Sequence, residues 1–115
     1  MHLKKLKKLL LDFPNAREDY PFGAEVLVMK LHTKMYALVA EEDDPLRLTL
    51  KCDPDDAQVL RSMFPAITPG YHMNKEHWNT ILLDGSVPET DLKRMIEESY
   101  LLVKKSLPKK YRQGL

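Results

Sequence analysis

The sequence predicts an α+β fold in which helices pack on one face of an antiparallel sheet. Apolar residues recur at helical spacing in three segments, and between these lie short segments rich in Val, Leu, Met and Tyr. The connection between the first two strand segments is too short for a parallel crossover, so these strands form an antiparallel hairpin. The predicted order is α-β-β-β-α-β-β-α, and helices on one side are the natural cover for such a sheet.

The composition is that of one ordinary domain. A chain of 115 residues suits a single core, so we expect residues 1–115 to form one domain. Cys52 is the only cysteine, which excludes an intrachain disulfide and predicts a reducing, cytoplasmic location. We expect no membrane association, because no stretch approaches the about 20 apolar residues of a bilayer span. The lysines among the first leucines also argue against a secretory signal.

The formal net charge of +1 conceals an uneven distribution. Residues 1–11 and 104–115 hold nine of the 18 basic residues and no acid. The nine remaining basic residues share the middle of the chain with all 17 acids. That middle would repel a polyanion unless its positive groups lie together on one face.

The first predicted element is a short amphipathic helix. Leu3, Leu6 and Leu10 repeat at helical spacing with lysines between them, and Pro14 ends the helix. Residues 15–23 are rich in turn formers and predict a loop.

Three strands follow, over residues 25–32, 34–40 and 47–52. In the third, the alternation predicts that its leucines and Cys52 face the core. Arg47, Thr49 and Lys51 then lie on the opposite face, which stays open to solvent or to a partner.

A second helix and a second hairpin come next. Asp53 followed by Pro54 is a helix start signal, and Pro65 ends that helix. Residues 70–73 and 78–83 predict the strands of the hairpin, with the turn between them.

The last helix has the clearest pattern in the sequence. Ser86 and Glu89 predict a capping box at its start. A core-facing stripe runs from Leu92 to Val103, and the helix continues to about residue 105. A basic tail follows from about residue 106.

Several motifs resemble the MmcQ/YjbR family. They are DYPFG at residues 19–23, KCDP at 51–54, PGYHMNKEHWNT at 69–80 and LDG at 83–85. The resemblance covers nearly the whole chain, from the first helix to LPKKYR at residues 107–112, and implies a frataxin-like (CyaY-like) α+β fold. It also implies the family's customary description as DNA-binding proteins with a "double wing" of hairpins, but it brings no catalytic residues.

The second hairpin carries the densest set of interacting groups. Its aromatic, amide, imidazole and cationic side chains suit base stacking and hydrogen bonding to bases or phosphates. These candidates are Tyr71, His72, Asn74, Lys75, His77, Trp78 and Asn79. The alternative is that the aromatics pack within the sheet while Asn74 and Lys75 simply form the turn.

The open sheet face offers a second candidate surface. Lys30, Arg47 and Lys51 lie in predicted strands and together would form a basic patch for phosphates. Alternatively, they are solvated charges paired with neighbouring acids. The terminal lysines would add non-specific phosphate contacts or simply face solvent.

Metal and catalytic sites are poorly supported. His72 and His77 do not have a standard ligand spacing, and the acidic run at residues 41–44 is typical of a solvated turn. Cys52 is predicted to point inwards, where a thiol stays protonated. We therefore expect no cofactor, no metal and no enzymatic activity.

The sequence thus predicts a binding module, either a monomer or a weak homo-oligomer. The leading hypothesis is a nucleic-acid-binding or regulatory protein that uses the open sheet face and the second hairpin. The alternative is a protein-interaction module that docks another protein through the hairpin and a sheet edge, and it predicts an apolar surface around Trp78.

Overall fold

The computed structural model describes residues 1–70 and 73–112. Within them the strands form an antiparallel six-stranded sheet in the order β1-β2-β3-β4-β6-β5. The strands are β1 (Ala16–Asp19), β2 (Val26–Leu31), β3 (Lys34–Ala40), β4 (Arg47–Lys51), β5 (Ile67–Pro69) and β6 (Trp78–Leu82). The helices are α1 (Leu3–Leu10), α2 (Pro54–Met63), α3 (Glu89–Ser106) and α4 (Lys109–Arg112).

The three longer helices lie on the sheet face that carries Leu48 and Leu50. Leu6 of α1 and Ile96 of α3 are buried in the same core as these leucines. α3 packs over β2, β3 and β4, whereas α2 packs over β5 and β6. Within the described residues, no helix combines the length and the apolar character needed to cross a bilayer. The predicted α+β class, with helices on one face of an antiparallel sheet, is confirmed.

Two strands differ from the prediction. Ala16–Asp19 was predicted as loop but forms β1, an edge strand paired with β2. The polar sequence of β1 gives no strand pattern, and its hydrogen bonds to β2 supply the stability that propensity does not. β5 is Ile67–Pro69 and not residues 70–73, of which 71 and 72 lie outside the described residues. The sheet therefore gains one strand over the prediction.

The predicted capping box at the start of α3 is wrong. The helix begins at Glu89 and has Pro88 at the N-cap position, which makes no side-chain cap. Ser86 instead donates its hydroxyl to Asp84 Oδ1 at 2.6 Å in the preceding turn. The Glu89 carboxylate accepts a hydrogen bond from Lys5 of α1 at 2.9 Å, which ties the two helices together.

A β-bulge interrupts the pairing of β2 with β3. The register shifts between Met29 and Lys30, where Tyr36 of β3 is the extra residue. Ser99 of α3 is buried against the bulge. Its hydroxyl donates to the Tyr36 carbonyl at 2.6 Å and accepts the Lys51 N–H at 2.9 Å. The Ser99 hydroxyl thus supplies a hydrogen-bond partner for two backbone groups that the irregular strand pairing leaves unpaired.

Burial of the Cys52 thiol makes the free energy of unfolding decrease at alkaline pH. The thiol is buried as predicted, and burial, reinforced by nearby carboxylates, raises its pKa from 9.0 to about 11. Its stabilising contribution is complete below pH 9 and is lost as the pH rises towards 11, because the unfolded chain ionises first. Burial also raises the pKa of Tyr36, which adds a loss that begins above about pH 10.

We expect Cys52→Ala to flatten this pH dependence between pH 9 and pH 10. Urea unfolding at half-unit steps from pH 8 to pH 11 measures it. The steeper loss above pH 10 should persist in the variant, because Tyr36 is unchanged. A decline between pH 9 and pH 10 equal to that of the wild type would contradict the assignment to Cys52.

Candidate nucleic-acid interface

Arg47, Thr49 and Lys51 lie on the sheet face opposite the helices, as predicted. β4 pairs with β6 so that Thr49 lies opposite Thr80 and Lys51 opposite Trp78. Directly opposed residues of antiparallel strands share a face. The hydroxyl oxygens of the two threonines are 2.9 Å apart, which places both side chains on this open face.

Lys30 and Lys51 lie at the same end of that face. The register links Met29, Ala37 and Leu50 in one row across β2, β3 and β4. Lys30 and Lys51 each follow that row by one residue, towards the same end of the sheet. They are two strands apart, which corresponds to about 10 Å.

Arg47 does not join the other two cations. It lies four residues before Lys51 on β4, about 13 Å along the strand. There it forms an ion pair with Asp43 of the acidic turn, with Nε 3.2 Å from the carboxylate. The predicted patch of Lys30, Arg47 and Lys51 is therefore wrong, because the register places Arg47 beside carboxylates at the far end of the sheet.

Lys30 is also paired with an acid. Its ammonium lies 2.7 Å from the carboxylate of Asp19 on β1. This hydrogen bond holds the pKa of Asp19 below its usual value. For Lys30 and Arg47 the structure thus favours the paired-charge alternative. Lys51 forms no ion pair with any residue in the described ranges.

Asn79 and Trp78 are less accessible than a nucleic-acid contact requires. Asn79 is 2% exposed and points into the helix-covered side, where its Nδ2 donates to the Ala57 carbonyl at 3.3 Å. Trp78 is 9% exposed, although it lies on the open face. A Cβ on Gly70 would lie 2.7 Å from the Trp78 Cβ, so the two strands approach closely here. The core and Arg61 thus occupy the Asn79 amide, which the predicted contact role requires to be free.

The tip of the hairpin remains exposed. The Asn74 carboxamide accepts the Glu76 N–H at 2.9 Å and shapes the turn, as the structural alternative predicted. Lys75 and His77 are exposed on either side of it. Tyr71 and His72 lie outside the described residues. Of the predicted hairpin contacts, Lys75 and His77 therefore stay available to a ligand.

Arg61 of α2 holds this hairpin against the helix, a role that the sequence does not predict. Its Nε donates to Asn79 Oδ1 at 2.6 Å, and its Nη2 donates to the backbone carbonyls of Lys75 and Trp78. A guanidinium suits this role, because its planar donors can reach several acceptors at once. The residue has no distinctive sequence signal, since it is a single arginine on an amphipathic helix.

Basic side chains from three segments of the chain meet around the turn between β2 and β3, a grouping that the sequence did not predict. His32 occupies the left-handed region with φ of 59° at the turn, and its carbonyl accepts from Arg17 Nη2 at 2.9 Å. Lys34 Nζ donates to the carbonyl and hydroxyl oxygens of Ser106, both at 3.1 Å. The Tyr111 ring of α4 packs 3.8 Å from the His32 ring, between centroids. These contacts bring the basic C-terminal segment against the turn.

We name this surface the basic corner. It consists of Arg17, His32, Lys34, Lys109, Lys110 and Arg112. All six are exposed, and none forms an ion pair within the described part of the chain. By contrast, the α1 lysines Lys5 and Lys7 are paired with Glu89 and Glu41. Other lysines also form no ion pair in the described ranges, namely Lys4, Lys8, Lys51, Lys75 and Lys105. The corner differs from these because its basic side chains come from three segments of the chain that meet at one turn.

The described residues show no constellation suited to a metal. No group of three or more His, Cys, Asp or Glu side chains in residues 1–70 and 73–112 is placed to hold an ion. The thiol of Cys52 is buried with its pKa raised to about 11, so it is protonated and unreactive at neutral pH.

Comparison with known proteins identifies the family. The YjbR family model matches residues 11–102. The uncharacterized protein YbdF of Escherichia coli O157:H7 is 35% identical over 104 residues, which cover 90% of this chain and 85% of YbdF. The uncharacterized protein YjbR of Escherichia coli K12 is 28% identical over 115 residues, covering 100% of this chain and 98% of YjbR.

Two solved structures share the fold. The crystal structure of protein DR2400 from Deinococcus radiodurans, a DUF419 domain, has a TM-score of 0.91 and 42% identity, and the match covers 97% of this chain and 86% of that one. The crystal structure of a protein from Pseudomonas syringae has a TM-score of 0.76 and 30% identity, covering 89% and 98%. The family resemblance predicted from the motifs is confirmed, and the chain belongs to the YjbR family.

Proposed function

We propose that the protein is a non-enzymatic module that binds nucleic acid, and in particular DNA, through the phosphate backbone. The basic corner is the main contact surface. The observation that carries the proposal is the gathering of six exposed basic side chains around one turn of the sheet, none of which forms an ion pair in the described ranges. Phosphate contacts supply most non-specific affinity for DNA, and they need clustered cations more than shaped pockets.

The open sheet face and the hairpin extend this surface. Lys51 lies two strands from Lys30 at the same end of the sheet as the corner, and Lys75 and His77 project from the hairpin beside Trp78. Two basic hairpin tips at one end of a sheet support the "double wing" description that the family resemblance implies. In this arrangement the basic corner binds the phosphate backbone of DNA. The tip of the hairpin between β5 and β6 supplies the side chains that reach the grooves of the DNA.

The protein-interaction alternative predicted an apolar surface around Trp78. That side chain is 9% exposed, and its exposed neighbours Lys75 and His77 are polar. This part of the surface therefore supports nucleic acid better than an apolar partner. Pull-down after nuclease treatment distinguishes the two, because partners bound through nucleic acid are lost.

We also propose that the protein is cytoplasmic, since a single unpaired thiol suits a reducing compartment.

The decisive variant replaces the three corner cations of α4, Lys109→Gln, Lys110→Gln and Arg112→Gln. These side chains are exposed at the end of the described chain, so the substitutions leave the core intact. We expect about tenfold weaker binding to duplex DNA at low salt, and a slope of log K against log salt that is smaller by about 2 to 3. Anisotropy titrations of labelled duplex and single-stranded DNA at several salt concentrations measure both quantities.

A matched control removes the same charge elsewhere. Lys4→Gln, Lys8→Gln and Arg94→Gln also change exposed side chains, on α1 and α3. The control should keep the wild-type affinity and salt slope. Equal effects of the two triple variants would show that only net charge matters. Wild-type binding no stronger than that of an unrelated neutral protein would overturn the proposal altogether.

A further inference from the structure

A groove separates α2 from α3 on the helix-covered side of the molecule. It consists of two adjoining openings of about 230 and 180 Å³ that share Asp56 and Glu98. Leu60 and Met95 line it, and both belong to or pack against the central core. The groove is remote in sequence from the basic corner, and none of the six corner residues lines it.

Apolar side chains are exposed along both walls of this groove. Val59 of α2 is 55% exposed, and Leu101 of α3 is 45% exposed. Met63, one helical turn after Val59 and 60% exposed, continues the α2 stripe. Large aliphatic side chains that face water on two neighbouring helices are typical of a surface that another helix covers.

Acidic side chains outnumber basic ones in the lining of the groove. Asp53 and Asp56 stand on the α2 side, and Asp91 and Glu98 on the α3 side. Two cations also line it. Arg94 lies 4.0 Å from Asp91, and this pair leaves Asp53, Asp56 and Glu98 against Lys105. The lining thus combines aliphatic side chains with a net negative charge.

We propose that this groove binds a basic amphipathic helix of a partner protein. Leucine-like side chains of that helix would pack against Val59 in one opening and Leu101 in the other, and its lysines or arginines would reach Asp56 and Glu98, which the two openings share. Charge complementarity with these acids selects this occupant over an acidic or neutral helix. The α1 helix of a second copy is unsuitable, because its Leu6 and Leu10 are fully buried in its own core. The inference concerns a surface separate from the proposed nucleic-acid interface.

The probe is a labelled Leu/Lys amphipathic peptide of about five helical turns. Two companion peptides, one with serine for leucine and one with glutamate for lysine, separate apolar from electrostatic binding. In anisotropy titrations with the intact protein, we expect only the Leu/Lys peptide to bind well. The variant Val59→Ser with Leu101→Ser should bind it about tenfold more weakly. Asp56→Asn with Glu98→Gln should weaken binding and reduce its salt dependence.

Matched controls change similar residues outside the groove. Leu11→Ser replaces another exposed leucine, and Glu97→Gln replaces an exposed acid of α3. Both should bind the peptide like the wild type, as should the triple variant of the basic corner. Undiminished binding by the Val59 and Leu101 variant, or equal binding of the serine peptide, would overturn the proposal. So would a wild-type homodimer that this variant dissociates, because a second copy would then be the occupant.

Discussion

Replacing Ser99 with alanine is expected to lower the free energy of unfolding by about 3 kcal/mol. The Ser99 hydroxyl is the hydrogen-bond partner of the Tyr36 carbonyl and of the Lys51 N–H at the bulge. Alanine leaves these two backbone groups unpaired in a buried site, and each such group costs about 1–3 kcal/mol. The higher helix propensity of alanine offsets only about 0.5 kcal/mol of this loss in the free energy of unfolding.

Urea unfolding monitored by circular dichroism measures this loss. Ser62→Ala is the matched control, since Ser62 is also a helical serine whose hydroxyl bonds within its own helix, to the Val59 carbonyl at 2.7 Å. Because Ser62 is exposed, the control should change stability by less than about 0.5 kcal/mol. Similar small changes in both variants would show that the bulge does not depend on Ser99.

Replacing Arg61 with lysine is expected to cost about 2–3 kcal/mol. Lysine keeps the charge but cannot reach Asn79 Oδ1 and the hairpin carbonyls together. The carboxamide oxygen of the buried Asn79 would then lack its charged donor. The hairpin should also open more often, because the guanidinium is its tie to α2.

Arg94→Lys on α3 makes the same chemical change at an exposed position and should cost less than about 0.5 kcal/mol. Hydrogen exchange adds a local readout. The Gly70 and Cys52 amides donate to the carbonyls of Trp78 and His77 at 2.8 and 2.7 Å, and both should exchange faster in the Arg61 variant. If those amides exchange as in the Arg94 variant, Arg61 does not hold the hairpin.

The main layers of the fold follow from patterns that are local in sequence. The alternation of β4 correctly places Leu48 and Leu50 in the core, and Asp53 caps α2 as predicted, accepting from Asp55 N–H at 3.0 Å. The helical stripe of α3 is buried as its spacing predicts. These elements depend on near neighbours, so their own residues determine them.

The elements that the sequence did not predict correctly, β1 and the start of α3, depend on partners that are distant in sequence. β1 is polar and becomes a strand only because β2 lies beside it. The start of α3 was misplaced because the Glu89 side chain bonds Lys5, 84 residues away, instead of the backbone near Ser86. Such long-range hydrogen bonds leave no periodic trace in the sequence.

The candidate site was predicted only in part. Strict alternation from Ile81 and Leu83 back to Asn79 indicates that Asn79 faces the core, although its place in the hairpin predicted an exposed contact. Of the basic corner, the sequence indicated only the basic C-terminal tail, because Arg17, Lys34 and Lys109 are separated in the chain. Only the turn between β2 and β3 and the packing of Tyr111 on His32 bring them together.

The two outermost strands have a consequence for solution behaviour. β1 presents Arg17, Glu18 and Asp19 along one border of the sheet, and β5 has only three residues and ends at Pro69, which lacks an N–H. A strand from another molecule that paired with β1 would have to remove water from charged side chains. One that paired with β5 would lack the hydrogen bond that an N–H at Pro69 would donate. Concentrated preparations should therefore resist the edge-to-edge polymerisation to which exposed sheets are prone.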